Sequence, residues 1–381
     1  MSPLNRRSWI KNSLGILSGV AIAPGILNQL MAAPMNSTEA AYFSLLPPAI
    51  KIRLNANENP YGPSEKARQA VHKILSEGNR YPFSVVGELK ALIAEKEGVT
   101  PEHIAIGAGS GELLCATGAA FGIEKGAILS PYPTFPLLMT YAEVFGARWD
   151  KVDVNSDLEV DHAALAKRVT DDTRLAFVCN PNNPTGTLVD AKLVRDFCEE
   201  VSPRVPVFAD EAYLEFLEPS QQVSMVDMVK KGSNVIVSRT FSKVFGLAGL
   251  RVGYVISRPD IIRRISRYQT GFSTSQTAIA AAKASYHDHD FMNMCRKKNA
   301  EARTVLTDFL DRKGYFYGKS HTNFVFFDPR SDAQDLLNKL AEREIGIRVW
   351  EYQGKIWNRI SVGTKDEMML LVKHLNEILT S

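Results

Sequence analysis

Six short apolar runs constrain this chain more than any other feature, because polar or glycine-rich residues border each of them. They are HIAIG running into AGSGE (His103–Glu112), AILS into PYPT (Ala127–Thr134), TRLAFVC into NPNNPTG (Thr173–Gly186), VPVFA into DEAY (Val205–Tyr213), NVIVS into RTFSK (Asn234–Lys243), and LRVGYVIS (Leu250–Ser257). Segments of helical periodicity, such as residues 65–78, 85–98 and 111–122, lie before and between them. Short buried strands alternating with helices predict an α/β fold with a largely parallel sheet. Ligands of such sheets sit at the carboxyl ends of the strands, where the polar clusters fall.

The chain has 381 residues, enough for two domains. Its net charge is +3, and Arg6, Arg7 and Lys11 lie in the first 34 residues, which hold no acid. The remainder is therefore neutral, which gives no reason to expect a nucleic-acid partner. The opening NRRSWIKNSLGILSGVAIAP resembles a twin-arginine export signal, although Asn5 and Trp9 depart from that pattern. Its apolar stretch is interrupted by Ser18, Pro24, Asn28 and Gln29 and falls short of the ~20 residues of a membrane span. A periplasmic or secreted protein delivered by the twin-arginine machinery is expected, or a cytoplasmic one if the signal is not read. The expected organisation is export signal 1–34, arm and active-site segment 35–64, large domain 65–265 and small α+β domain 266–381. A long helical region is expected from Ile261 to Leu310. Cys115, Cys179, Cys198 and Cys295 form no CxxC and read as small buried hydrophobes. YHDHD (Tyr286–Asp290) reads as a solvated helix end or loop, and no metal site is expected.

Three of the polar clusters carry chemistry. GAGSGE (Gly107–Glu112) follows a strand and opens a helix, so its N–H groups suit a phosphate. It is not the dinucleotide fingerprint, because its third glycine comes one residue early. FADEAY ends a strand on Asp210, a carboxylate that in a dry setting wants a cation, such as a protonated ring nitrogen. TFSK places Lys243 beside Thr240 and Ser242, with Arg251 eight residues on. A lysine in a dry pocket becomes a neutral nucleophile toward a carbonyl, while hydroxyls and a guanidinium suit a phosphate. An aldehyde trap, a phosphate cup and an acid for a pyridinium together match pyridoxal phosphate.

Eight motifs in order, NENPYG, RYP, GAGSGE, PTF, NPNNPTG, DEAY, TFSKVFGLAGLRVGY and NRISVGT, give the chain from about Lys51 onward its resemblance. It resembles the fold-type I pyridoxal-phosphate aminotransferases, and among them the histidinol-phosphate aminotransferase group. The resemblance implies a large domain on a mostly parallel seven-stranded sheet with a smaller α+β domain. It implies Lys243 as the covalent cofactor anchor and proton shuttle, and Asp210 as partner of the ring nitrogen. Tyr213 and Asn183 would face the ring's phenolate oxygen, and Phe135 would stack on the ring. Ser110, Gly111, Thr240, Ser242 and Arg251 would hold the phosphate. Tyr81 would reach the neighbouring subunit's site, which makes the protein a homodimer. Arg359 would grip the substrate's acidic group, with Asn183, Tyr61 and Trp350 also in the substrate pocket. The substrates implied are an amino acid and a 2-oxo acid.

Departures from the group's pattern bear on the substrate. Its second arginine follows the GIxV strand, whereas here Gly346, Ile347, Arg348 and Val349 are followed by Trp350. Alternation along a strand puts Arg348 and Trp350 on one face, so Arg348 is a candidate substitute from two residues away. An indole wall instead of the arginine favours a bulky or aromatic amino acid over histidinol phosphate. Gly111 stands where the group often has Asp. A decarboxylase or lyase on the same scaffold is an alternative, and so is a non-catalytic protein that binds amino acids or the cofactor.

Overall fold

A computed structural model of the chain describes residues 50–379, all within one compact unit; the export signal and the first half of the expected arm lie outside the described residues. Seven strands form the main sheet: β2 (Ile104–Gly107), β3 (Ala127–Tyr132), β4 (Arg148–Asp153), β5 (Thr173–Cys179), β6 (Val207–Asp210), β7 (Val235–Thr240) and β8 (Gly253–Ile256). Their order is β2-β8-β7-β6-β5-β3-β4, and β8 alone runs in the direction opposite to the other six.

Strands β2, β6, β7 and β8 are buried throughout, as a sheet covered on both faces requires. Alternate residues feed two apolar clusters. Val235, Val237, Val207 and Ala209 enter one, Ile236, Phe208, Leu175 and Phe177 the other. Edge strand β4 (RWDKVD) is charged and partly exposed, which discourages further strand pairing. The covering helices start on side-chain caps where the sequence provides them. Ser64 accepts from Ala67 N–H to start α1 (Glu65–Ile74), and Asp190 accepts from Lys192 N–H to start α6 (Ala191–Val201). Between these two lie α2 (Phe83–Glu97), α3 (Gly109–Gly122), α4 (Leu137–Val144) and α5 (His162–Arg168), and α7 (Val226–Lys230) follows α6.

The long helical region expected from Ile261 to Leu310 comprises three helices: α8 (Pro259–Ser266), α9 (Gln276–Tyr286) and α10 (His289–Arg312). Tertiary contacts explain the first break. Glu112 accepts from Thr270 N–H at 3.0 Å and from the Ser273 hydroxyl at 2.6 Å, and Ser275 caps α9. YHDHD is less solvated than expected, because Tyr286 and Asp288 are buried and Lys66 donates to Asp288 at 2.9 Å.

A second sheet pairs β9 (Phe324–Phe327), β12 (Lys355–Ser361) and β11 (Arg348–Tyr352), all antiparallel. Phe324, Phe326, Trp357 and Tyr352 join the first cluster of the main sheet. Val325, Phe327 and Ile360 instead pack with residues of α10, α11 (Ala333–Ala341) and α12 (Lys365–Leu379). Strand β1 (Ile52–Arg53) pairs in parallel with β10 (Ile345–Gly346), so the segment after β1 starts beside the second sheet. From there it reaches the main sheet, where Asn59 Nδ2 donates to Val244 O at 2.7 Å. Among the described residues no helix is long and apolar enough to cross a membrane.

Candidate active site

The predicted residues collect along one edge of the main sheet. Gly107, Cys179, Asp210 and Thr240 end their strands there, and Gly253 begins antiparallel β8 at the same edge, in register with both Gly107 and Thr240. Gly253 has to be a glycine: a Cβ there would stand 2.2 Å from Ser110 N, so β8 presses directly on the first turn of α3. Gly109 has φ +74°, and a Cβ on it would meet the Arg251 guanidinium at 2.3 Å. Arg251 itself has φ 59°, and its Nη1 donates to Ser242 Oγ at 3.4 Å and its Nη2 to Ala108 O at 3.3 Å. Thus Ser110, Gly111, Ser242 and Arg251 gather around the α3 N-terminus, and Thr240 joins them through the Ser242 N–H that donates to its hydroxyl at 3.1 Å. Helix N–H groups, hydroxyls and a guanidinium are the donor set of a phosphate site.

Lys243 is half-buried beneath the loop after β1, donating to Ala56 O at 3.4 Å and Asn57 O at 3.3 Å. Its Nζ lies 5.6 Å from the centre of the Tyr213 ring. Burial, with the Arg359 charge next in weight, pulls its pKa down to about 7. Burial pushes the Asp210 carboxyl up to about 7, with Ala212 N–H donating to it at 3.2 Å. Arg239 on the adjacent strand is committed to Glu211 at 2.7 Å and Glu215 at 3.0 Å, and among the described residues Asp210 has no ion-pair partner. Asn183 is buried, and Arg359 Nη1 donates to its Oδ1 at 2.7 Å, which leaves its Nδ2 protons for another acceptor. Phe135 is half-buried at the end of β3, in a segment tied to the Asn183 loop by Thr134 Oγ1, which donates to Asn182 Oδ1 at 2.8 Å.

The family model for class I and II aminotransferases matches residues 49–375. The chain belongs to this family. It is a transaminase, and its cofactor is pyridoxal phosphate. It is 35% identical to the histidinol-phosphate aminotransferase of Moorella thermoacetica over 86% of this chain and 85% of that one. It is 34% identical to histidinol-phosphate aminotransferase 2 of Pasteurella multocida, over 86% and 90%. The structure of histidinol-phosphate aminotransferase from Sinorhizobium meliloti in complex with pyridoxal-5'-phosphate superposes with a TM-score of 0.82 at 26% identity, covering 95% of this chain and 98% of that one.

The residues of this aminotransferase fit the cofactor. A buried carboxylate with no ion-pair partner among the described residues suits a ring nitrogen, a lysine near neutrality suits an aldehyde, and the α3 turn suits a phosphate. The substrate side is built from the second sheet. Arg359 is buried, its Nη2 donates to Asn55 O at 3.0 Å, and the rings of Phe324 and Trp350 lie 5.3 and 5.7 Å from its guanidinium. Arg348 sits directly opposite Arg359 across β11 and β12, with its guanidinium 5.4 Å from the same Trp350 ring. Tyr61 is half-buried at the other end of the loop, with Lys298 Nζ 4.8 Å from its ring centre. Tyr81 is not brought to this cluster: it is 70% exposed and packs on Phe83 and Phe272. Sequence reasoning gave no role to Asn57, Asn323 or Ser361, although NENPYG begins with Asn57 and NRISVGT contains Ser361. Asn323 Nδ2 donates to Asn57 O at 3.0 Å and so fixes the loop above Lys243.

Proposed function

We propose that Lys243 binds the cofactor and moves the proton of the amino donor's Cα, a reading carried by one observation: Lys243, its ammonium form disfavoured by burial and by Arg359, stands over the Tyr213 ring close to the buried carboxyl of Asp210. When bound, pyridoxal phosphate supplies an aldehyde that accepts the amino group and a ring that withdraws electrons from Cα. Asp210 holds the ring nitrogen protonated. Tyr213 Oη–H and Asn183 Nδ2 donate to the ring oxygen, Phe135 covers the ring, and Ser110, Gly111, Thr240, Ser242 and Arg251 take the phosphate. Lys243 Nζ, neutral for a large share of the time at pH 7, takes the Cα proton and returns it on the cofactor side.

Arg359 binds the substrate's acidic group. Two guanidiniums beside one indole support, against the expectation of a free aromatic amino acid, an amino donor that carries both a ring and a doubly charged anionic group. Histidinol phosphate has that chemistry, and the curated relatives are named for it. Arg348, brought opposite Arg359 by strand register, offers the second cation that Trp350 displaces from its expected place. A panel containing histidinol phosphate, histidine and the aromatic amino acids tests this, read by loss of the bound cofactor's visible absorbance and by product. Histidinol phosphate is expected to react with the highest kcat/KM, and Arg348→Ala to lower that value about tenfold or more by removing one charge-assisted contact. Preference for a free aromatic amino acid would instead establish Trp350 as an apolar wall.

The active unit in this reading is a homodimer in which Tyr81 reaches the partner's site, supported by the exposed aromatic surface around Tyr81. The twin arginines Arg6 and Arg7 direct the protein to the twin-arginine export machinery and so to the periplasm. Cell fractionation of the full chain beside an Arg6→Lys/Arg7→Lys variant checks this, and equal cytoplasmic retention of both would overturn it.

A further inference from the structure

Tyr213 is held by a chain of hydrogen bonds whose direction can be read from its members. Asn57, Ser361 and Tyr213 are all buried, and they come from the loop after β1, from β12 and from the turn after β6. Asn57 N–H donates to Ser361 Oγ at 2.8 Å, and Ser361 Oγ–H donates to Asn57 Oδ1 at 2.9 Å. In this arrangement the serine's one proton goes to the amide oxygen of Asn57, which turns the amide nitrogen away from Ser361. The amide nitrogen is then the atom facing Tyr213, and Nδ2 donates to Tyr213 Oη at 2.9 Å. A phenol that accepts on one side keeps its own proton for the other. The backbone of Asn57 is committed as well: its φ is 53°, and its carbonyl accepts from Asn323 Nδ2 at 3.0 Å and from Lys243 Nζ at 3.3 Å.

We infer that Asn57 is a positioning residue which, together with Ser361, aims the Tyr213 hydroxyl proton at the ring oxygen of the bound cofactor and strengthens it as a donor. This rests on the assignment of Tyr213 to that oxygen. Hydrogen bonds in series polarise one another, so an amide donor behind Tyr213 makes its O–H a better donor ahead. Burial holds the Tyr213 hydroxyl above the ordinary phenol range, and the Arg359 charge and the Asn57 hydrogen bond pull it back toward acidity. Lys243 faces the ring of Tyr213. A stronger donor to the ring oxygen lowers the pH at which the lysine-bound cofactor changes its absorbance.

The experiment is a spectroscopic pH titration of holoenzyme. Asn57→Gly removes the amide while tolerating the positive φ, and Ser361→Ala removes the fixing hydroxyl. Tyr213→Phe is expected to raise the midpoint. Asn57→Gly is expected to raise it in the same direction by about half a unit, as the loss of one neutral hydrogen bond permits. Ser361→Ala is expected to follow Asn57→Gly, and Ser361→Thr, which keeps the hydroxyl, to restore the native midpoint. In the Tyr213→Phe background Asn57→Gly should add nothing. An unchanged midpoint in Asn57→Gly, or an equal shift with and without the Tyr213 hydroxyl, overturns the relay and leaves Tyr213 in place. No shift in Tyr213→Phe itself overturns the assignment of Tyr213 and the relay with it.

Discussion

Two effects act in the same direction on Lys243: burial and the Arg359 charge both disfavour its protonated form. The sign of the consequence is fixed. Only the neutral amine attacks an aldehyde, so covalent capture of the cofactor by apoenzyme should speed up about tenfold per pH unit below 7 and level off above it. An ordinary lysine would keep gaining rate beyond pH 9. Stopped-flow absorbance between pH 5.5 and 9.5 distinguishes the two, and Lys243→Ala should abolish capture at every pH. Lys243 and Asp210 were legible because strand-end polar residues next to apolar runs have few structural reasons to be there. Asn57 was not legible. Its amide meets Tyr213 only because the β1–β10 and β11–β12–β9 pairings carry its loop across 156 residues of sequence. The environment of Trp350 lay between these cases: alternation predicts that Arg348 shares its face, but only register shows that Arg359 stands opposite Arg348.

The elements were read more securely than their joints. Near-continuous apolar strands with polar ends mark a buried sheet whatever packs on it, so all six of the apolar runs contain strands of the main sheet. Edge strand β4, charged and exposed, carries no such pattern and was not singled out. The break between α8 and α9 depends on Glu112, more than 150 residues away, reaching Thr270 and Ser273, which local periodicity does not encode. The joint that matters most for chemistry is the one between β8 and α3. With a Cβ at Gly253 only 2.2 Å from Ser110 N, Gly253→Ala must push the phosphate turn off the strand. Overpacking of this kind costs about 1–3 kcal/mol, so pyridoxal phosphate should bind the variant about tenfold more weakly or worse. Gly249, with nothing within 4 Å of its Cβ position, supplies the control: Gly249→Ala should bind the cofactor as the native chain does. Fluorescence titration of the two apoenzymes reads the difference.

At the scale of the whole molecule, Tyr81, Phe83 and Phe272 form the feature that one chain leaves unexplained. The three rings are 64–70% exposed and pack on one another at 5.2–5.8 Å rather than into the core. Exposed aromatic clusters of this kind mark interfaces. Phe272 has φ 62° and lies in the segment that Glu112 ties to the phosphate turn, so this surface is joined mechanically to the cofactor site. In an isologous dimer that lends Tyr81 across the interface, each site needs Lys243 from one chain and Tyr81 from the other. Lys243→Ala and Tyr81→Ala homodimers should then both be impaired. Co-expressed in equal amounts, half of the dimers are mixed, and each mixed dimer holds one site with both native residues and one with neither. About a quarter of native specific activity should return in the mixture, with tagged purification of the heterodimer raising it to about half. If Tyr81 served its own chain's site, every site in the mixed dimer would carry one of the two defects. Activity would then stay at the average of the parents, so a measurement on the purified heterodimer separates the two arrangements.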